Sequence, residues 1–227
     1  MANRPVYIVN VKHKENVEIE NIDFEWFAGF SIFQKQKSIK SLQNAFRSIG
    51  KYKLYKILEV SSKSEDELGV KLSAFNLSSK GKTVEVIFQG SKVFENGGPY
   101  TDIYNLNSRM AKKDERLKKS GNLKYFEYRN EKWELEPKTA FYDWIYINIL
   151  EQNKSLKEKL IKKGYEAFTD IEFNPKKSIN CQARALALYI GLVKNETLEL
   201  ALSSKDSFLR EAYSWDKKTT TIQKKLI

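Results

Sequence analysis

A glutamate, a glutamine and a lysine recur at helical spacing within residues 84–95. Thr83 can cap a helix over this segment, and on an ideal helix Glu85, Gln89 and Lys92 share one narrow stripe. A carboxylate held there can activate water or stabilise an oxocarbenium-like charge. The lysine can donate hydrogen bonds to phosphate or attack an opened sugar aldehyde. The pair could serve glycosidic chemistry, although a solvated helix face has the same spacing.

Two loops carry groups suited to a phosphorylated ligand. Ser61, Ser62 and Lys63 follow a predicted strand with hydroxyls, amides and an amine that can cradle phosphate. In the second loop, Gly97 and Gly98 allow a ligand to approach the backbone closely, and the neighbouring Tyr100 can stack on a base. An ordinary polar turn and a helix stop remain open as alternative readings of the two loops.

Acidic and amide side chains also fall close together near residue 175. Alternation along an extended segment at 165–173 places Asp170 and Glu172 on one face. Asn180 comes near the start of the next predicted helix, where backbone N–H groups attract anions. The two carboxylates could instead bind Mg²⁺ and serve a nuclease, or form the polar face of a strand.

The charge balance favours an anionic partner. The chain has 40 Lys and Arg against 29 Asp and Glu, a formal net charge of +11. Such a surplus suits nucleic acids, nucleotides or phosphorylated metabolites without choosing among them. Part of it lies in one basic stretch that could follow a nucleic-acid backbone or form a solvated face: Arg109, Lys112, Lys113, Arg116, Lys118 and Lys119.

These residues are carried by strands and helices in no strict alternation. The length of 227 residues suits one domain, and the order predicts an α+β, helix-dominated single domain with a small sheet. The tail 214–227 is predicted to be flexible. The patterns predict strands at 5–11, 17–24 and 53–60, a loop at 61–69, a hairpin at 124–134 and helices at 34–49, 84–95, 108–119, 137–152, 154–163 and 178–193. The helix at 137–152 is apolar on nearly every side and should be buried.

Several classes of protein are disfavoured. Cys181 is the one cysteine and His13 the one histidine, which argues against a disulfide, a cysteine–histidine nucleophile and a histidine-rich metal site. We expect a small buried side chain at Cys181 and neither a metal nor a cofactor. The sequence lacks an apolar run of about 18 residues and a signal peptide, so we expect a cytoplasmic protein without a membrane partner.

Two stretches resemble the hallmark of the NADAR family. They are Leu72-Ser73-Ala74-Phe75-Asn76-Leu77 and Val84-Glu85-Val86-Ile87-Phe88-Gln89-Gly90-Ser91-Lys92. Glu85, Phe88, Gln89 and Lys92 match the family spacing, whereas Val86 stands where histidine is usual. The resemblance covers about residues 58–193, which implies a core at 58–193 with residues 1–57 as an extension in a domain of 1–213. The segments 3–7, 58–63, 88–104 and 168–181 resemble the branch that accompanies guanine-specific DNA-ADP-ribosylating toxins.

The resemblance implies an N-glycosidase and assigns roles to the residues above. Glu85 would handle water or charge, Lys92 would bind sugar or phosphate or act covalently, and Asp170 would orient a ribose hydroxyl. The implied substrate-binding residues are Ser61, Ser62 and Lys63 at the pyrophosphate, Phe75, Asn76 and Gln89 in the motif, Gly97 and Gly98, Tyr100 and Trp144 beside the base, and Asn180 at the sugar or base. Arg109, Lys112, Lys113 and Arg116 would contact the nucleic-acid backbone.

The implied reaction removes ADP-ribose from modified guanine in single-stranded DNA, with ADP-ribose as the product. A cognate ADP-ribosyltransferase toxin would then be a partner. Three alternatives stay open at this point. They are a metabolic N-glycosidase acting on a phosphorylated ribosylamine, a non-catalytic protein that binds nucleic acid or toxin, and a metal nuclease.

Overall fold

The computed structural model describes residues 1–11 and 15–214. His13 and residues 215–227, which include nearly all of the predicted flexible tail, lie outside the described part. In the described ranges, no helix combines the length and the apolarity that are needed to cross a membrane.

Ten helices and nine strands are formed by the described residues. In chain order they are β1 (Ala2–Val9), β2 (Val17–Phe24), α1 (Ile32–Ser48), β3 (Ile57–Glu59), α2 (Glu67–Lys71), β4 (Ser78–Ser79), β5 (Lys82–Thr83), α3 (Val84–Gly90), β6 (Lys92–Phe94), α4 (Ser108–Lys113), α5 (Arg116–Lys119), β7 (Leu123–Tyr128), β8 (Glu131–Trp133), α6 (Ala140–Glu151), α7 (Lys154–Lys163), β9 (Ala167–Thr169), α8 (Gln182–Lys194), α9 (Leu198–Leu202) and α10 (Lys205–Tyr213). Short 3₁₀ turns occur at Gly50–Tyr52 and Thr101–Asn105. The predicted α+β, helix-dominated single domain is confirmed.

The largest sheet has four strands in the order β2-β1-β9-β3. β1 pairs antiparallel with β2 and β9, and β3 pairs parallel with β9. Side chains alternate between its faces: Val6 and Ile8 pack toward α1, whereas Tyr7 packs toward the main core. The sheet therefore separates a small core under α1 from a large one around α6 and α8. The N-terminal strands share this sheet with β3 and β9, and the boundary at residue 57 stays a prediction.

The central helices follow their predicted character. α6 is buried on nearly all sides, with only Trp144 and Asn148 partly exposed before its final residue. In α8 the small side chains Ala183, Ala185 and Ala187 are buried in the same core. α8 begins at Gln182 and not at residue 178, because residues 174–178 form a turn in which Asn174 Oδ1 accepts a hydrogen bond from the backbone of Lys176.

The predicted helix over 84–95 is wrong in its second half. α3 ends at Gly90, and Lys92–Phe94 forms the edge strand β6, which pairs with β7. A Cβ on Gly90 would lie 2.4 Å from the Tyr104 ring, so the chain turns where only glycine fits. Tertiary pairing with β7 then outweighs the local helical spacing.

Other boundaries also differ from the predicted ones. The polar loop at 61–69 contains the start of α2, whose N-cap Asp66 accepts a hydrogen bond from the backbone of Leu68 at 2.9 Å. The basic helix at 108–119 is two helices, α4 and α5, interrupted at Asp114. The strand predicted at 53–60 shortens to β3. The β7–β8 hairpin is confirmed.

Gly69 tests the packing of α2 against the end of β3. A Cβ at this position would lie 2.0 Å from the backbone oxygen of Glu59 and 2.5 Å from Ser64 Oγ. We expect Gly69→Ala to lower the free energy of unfolding by about 1–3 kcal/mol. Gly50→Ala is the matched control, because nothing lies within 4 Å of its Cβ position. Equal thermal stability of the two variants would contradict this packing.

Candidate active site

A relay of hydrogen bonds joins Glu85, Gln89 and Lys92, the three polar residues that were noted at helical spacing. Gln89 Nε2 donates to Glu85 Oε1 at 2.9 Å, and Lys92 Nζ donates to Gln89 Oε1 at 2.7 Å. Glu85 and Gln89 are each 6% exposed, so the relay points into the protein. Although Lys92 is on β6 and not on the helix, the turn at Gly90 returns its amine to Gln89. The amide between them keeps a carboxylate and an amine at a fixed spacing without a direct ion pair.

The electrostatic setting of Lys92 favours a reactive amine. The pKa of Lys92 is lowered to about 8, chiefly by burial and in smaller part by the Lys112 charge, although the Glu85 carboxylate opposes the shift. Its Nζ also lies 4.7 Å from the centre of the Phe88 ring. Roughly a tenth of such an amine is neutral at pH 7, a few hundred times more than for an ordinary lysine. The amine therefore has access to both protonation states near neutral pH.

Glu85 keeps one oxygen uncommitted. Its backbone N–H donates to Ala74 O at 3.0 Å, which fixes the first turn of α3 to the preceding motif. Of the carboxylate oxygens, Oε1 accepts from Gln89, and no described residue donates a hydrogen bond to Oε2. A carboxylate oxygen of this kind can accept a proton from water or stabilise positive charge on a neighbouring group.

Asp170 lies at the end of β9, in a turn. Its Oδ1 accepts hydrogen bonds from the backbone N–H groups of Glu172 at 3.0 Å and Phe173 at 3.2 Å. The expectation that Asp170 and Glu172 share one strand face is therefore wrong. β9 ends at Thr169, Asp170 is buried, and Glu172 is exposed and pairs with Lys35 at 3.1 Å.

A second buried carboxylate accompanies Asp170. Glu59 accepts hydrogen bonds from Thr169 Oγ1 at 2.6 Å and from the backbone of Ile171 at 2.9 Å. Burial, and after it the neighbouring Glu59 charge, together raise the pKa of Asp170 to about 8. Burial also raises the pKa of Glu59. Because two neighbouring buried carboxylates resist ionising together, Asp170 is largely a neutral acid at pH 7 and can donate a hydrogen bond.

Tyr142 of α6 lies within electrostatic reach of both Glu85 and Asp170. Burial raises the pKa of Tyr142 well above its usual range, and the charges of Glu85 and Asp170 both contribute. Tyr146 donates a hydrogen bond from its hydroxyl to Leu72 O at 2.6 Å. Cys181 is buried, as expected, and its thiol lies 3.8 Å from Asp170 Oδ2. Sequence reasoning missed Glu59, Tyr142 and Tyr146, because these side chains lie within an apolar strand and helix.

The motif segment before α3 is fixed to α8. The backbone N–H of Ala74 donates to Gln182 Oε1 at 2.6 Å. Phe75 is partly buried, with Lys112 Nζ 5.2 Å from the centre of its ring. The Asn76 side chain donates to Val70 O at 2.9 Å and thus holds its own loop. Lys112, which lies over the Phe75 ring, also exerts its charge on Lys92.

The loop predicted to hold phosphate forms a compact turn. Ser61 is buried and its Oγ accepts a hydrogen bond from the backbone of Lys63 at 3.1 Å. Ser62 is exposed and Lys63 partly so. Asn180 is partly buried and precedes Cys181, beside Asp170. Ser61 also contributes a hydrogen bond to Glu59, which connects this loop to the pair of buried carboxyl groups, Glu59 and Asp170.

The glycine loop and its aromatic residues are packed against neighbours. A Cβ on Gly98 would lie 2.2 Å from Lys92 O, and one on Gly97 would lie 2.3 Å from the Tyr100 hydroxyl. Tyr100 bonds Ser120 Oγ at 2.5 Å and stacks on Phe94. Trp144 contacts Trp133, with ring centres 5.0 Å apart. The loop thus supports the backbone of Lys92 directly.

The residues of the basic stretch differ in their exposure and in whether they form ion pairs. Arg116 is committed to Asp102 at 2.6 Å and Asp114 at 2.8 Å. Arg109, Lys112 and Lys113 are exposed on α4, and Lys112 is the member with an electrostatic effect on Lys92. In residues 1–11 and 15–214, no three His, Cys, Asp or Glu side chains group as a metal ion would require.

The sequence matches the family model described as DarT1-associated NADAR antitoxin over residues 2–222. A search of the curated proteins found no match to the chain. The family match extends across both cores, the α3 relay and the Asp170 turn. The chain belongs to the family of DarT1-associated NADAR antitoxins.

Proposed function

We propose that this chain is an N-glycosidase that removes ADP-ribose from modified guanine in single-stranded DNA and so counteracts an ADP-ribosyltransferase toxin. The observation that carries the proposal is the relay Glu85–Gln89–Lys92, whose carboxylate and amide are buried and whose amine is partly buried. Family membership supports the antitoxin role. The excess of basic residues supports an anionic substrate.

In the proposed reaction, Lys92 attacks the sugar and Glu85 moves protons. A ribosylated amine can open its sugar ring to an imine, whose carbon was the anomeric carbon. The neutral Lys92 amine adds to that carbon, the base nitrogen leaves as a free amine, and water then releases the sugar from lysine. A lysine pKa of about 8 supplies the neutral amine, and the uncommitted Glu85 oxygen can accept and return protons.

The remaining residues are proposed to bind and orient the substrate. Asp170, as a neutral acid, would donate a hydrogen bond to a ribose oxygen, with Asn180 beside it. Lys112 supplies positive charge near Lys92 and can attract a phosphate. Ser61, Ser62 and Lys63 stay proposed contacts of the pyrophosphate, and Tyr100 and Trp144 stay proposed neighbours of the base. Gln89 is proposed as the residue that orients both reacting groups.

Replacing the carboxylate tests the role of Glu85. Glu85→Gln keeps the shape but cannot accept a proton, so we expect release of ADP-ribose from modified guanine to fall by about 10²–10⁴-fold. The variant should keep its thermal unfolding transition. Glu158→Gln on the exposed face of α7 is the matched control and should retain full activity. An active Glu85→Gln enzyme would overturn the proposal.

Chemical trapping tests the role of Lys92. Borohydride reduction during turnover should attach the sugar covalently to Lys92, and peptide mass spectrometry locates the adduct. The amount trapped should rise as the pH increases toward about 8, because the neutral fraction of the amine grows through its pKa. Lys92→Arg should abolish trapping. Normal turnover with no adduct at any pH would limit Lys92 to binding.

A further inference from the structure

An aromatic surface lies on the segment between β2 and α1 and on the first turn of α1. Trp26, Phe27, Phe30 and Phe33 fall within eight residues, and we call them the aromatic platform. Phe30 is fully exposed and Phe33 is 61% exposed. Trp26 and Phe27 are partly buried at the base of the platform. Rings left in water at such density indicate a binding surface.

The platform is held rigidly by α1. Ser38 is fully buried, and its Oγ accepts a hydrogen bond from the backbone N–H of Phe27 at 3.0 Å. Ser41 Oγ accepts from the backbone of Glu25 at 3.2 Å, and Ser31 caps α1 by accepting from Gln34 at 3.3 Å. The exposed rings therefore project from a fixed backbone, which lowers the entropic cost of binding.

Cations lie over the rings of the platform. Lys37 Nζ lies 4.6 Å from the centre of the Phe33 ring and 5.7 Å from that of Phe27. Lys35 Nζ and Arg4 Cζ lie 4.8 Å and 5.5 Å from the centre of the Trp26 ring. Alternating aromatic faces and cations are the arrangement that binds single-stranded nucleic acid, through base stacking and phosphate contacts.

The sequence that begins with the platform carries only basic charges as far as residue 58. Residues 26–58 contain seven Lys and Arg and no Asp or Glu. Lys40 and Lys51 reach carboxylates outside the segment, whereas the contacts of Lys37 in the described structure are with aromatic rings. This positive charge favours a polyanion as the ligand of the platform. It disfavours a protein surface with few acidic residues and a second copy of this basic chain.

The platform adjoins the Asp170 side of the candidate active site. Lys35 pairs with Glu172, two residues beyond Asp170, at 3.1 Å. Burial lowers the pKa of Arg4, and the Asp170 carboxylate opposes that shift, so the two groups are within electrostatic reach. A DNA strand bound to the aromatic platform would thus pass the turn that contains Asp170, where the sugar is proposed to bind.

From this arrangement we infer that the aromatic platform, with Arg4, Lys35 and Lys37, binds the unmodified stretch of a single DNA strand that flanks the nucleotide in the active site. Bases stack on Phe30 and Phe33, and Lys37 contacts phosphate. This inference rests on the proposed function for its substrate class. The binding needs no particular sequence, because every base offers an aromatic face.

Fluorescence anisotropy with a labelled, unmodified oligothymidylate of about 12 nucleotides tests the platform. We expect the double variant Phe30→Ala/Phe33→Ala to raise Kd about tenfold or more. Leu200→Ala, which removes a half-exposed apolar side chain on α9, should leave Kd unchanged. Lys37→Gln should raise Kd and reduce its salt dependence more than Lys194→Gln, which removes an equal charge elsewhere.

Unchanged DNA affinity in the double variant would overturn the inference. So would a double variant that keeps its DNA affinity and instead loses self-association or retention of the toxin, because the platform would then be a protein interface. Thermal unfolding of each variant checks that loss of affinity does not reflect loss of fold.

A second assay separates this inference from the proposed function. ADP-ribosylated guanosine lacks the flanking nucleotides that the platform is inferred to bind, so the double variant should hydrolyse it at the wild-type rate and be slower only on a long strand at low concentration. Wild-type protein that binds oligothymidylate through the platform yet releases no ADP-ribose from either substrate would refute the proposed function alone. Hydrolysis of both substrates at wild-type rates by the double variant would refute the platform alone.

Discussion

The candidate site depends on holding the Glu85 carboxylate and the partly buried Lys92 amine near each other without a direct ion pair between them. Gln89 achieves this, because its amide donates to Glu85 and accepts from Lys92. Burial then lowers the pKa of Lys92 to about 8. A direct ion pair at this position would instead stabilise the charged amine and suppress its nucleophilicity. The turn at Gly90, the pairing of β6 with β7 and the close approach of Gly98 to Lys92 O all serve that placement.

The second half of the candidate site rests on the main sheet. Glu59 at the end of β3 fixes the backbone after β9 and so positions Asp170. Parallel pairing of these strands brings together residues more than a hundred positions apart. The N-terminal strands complete the same sheet and carry Arg4 toward Asp170. The aromatic platform, on the β2–α1 connection and the first turn of α1, lies beside the turn that contains Asp170. A segment outside the core at 58–193, which carries the family resemblance, therefore contributes to the proposed substrate surface.

Much of this was predictable from local pattern. The strands at Val17–Phe24 and in the hairpin and the buried α6 follow from periodicity. For Glu85 the spacing left a solvated face open, and only the family resemblance favoured a role in a site. The position of Lys92 on a strand was not predictable, because the helical spacing continues through Lys92–Phe94, which pairs with β7. Asp170 and Glu172 separate because backbone hydrogen bonds to Oδ1 end the strand. Glu59 and Tyr142 were missed since their importance arises only from long-range packing, which no short window contains.

A single-stranded oligonucleotide carrying one ADP-ribosylated guanine gives the most direct test of the glycosidase assignment. After incubation with the wild-type protein, mass spectrometry should show the intact strand with unmodified guanine, together with one equivalent of free ADP-ribose. A strand that keeps its modification, or one that is cut in its backbone, would contradict the account.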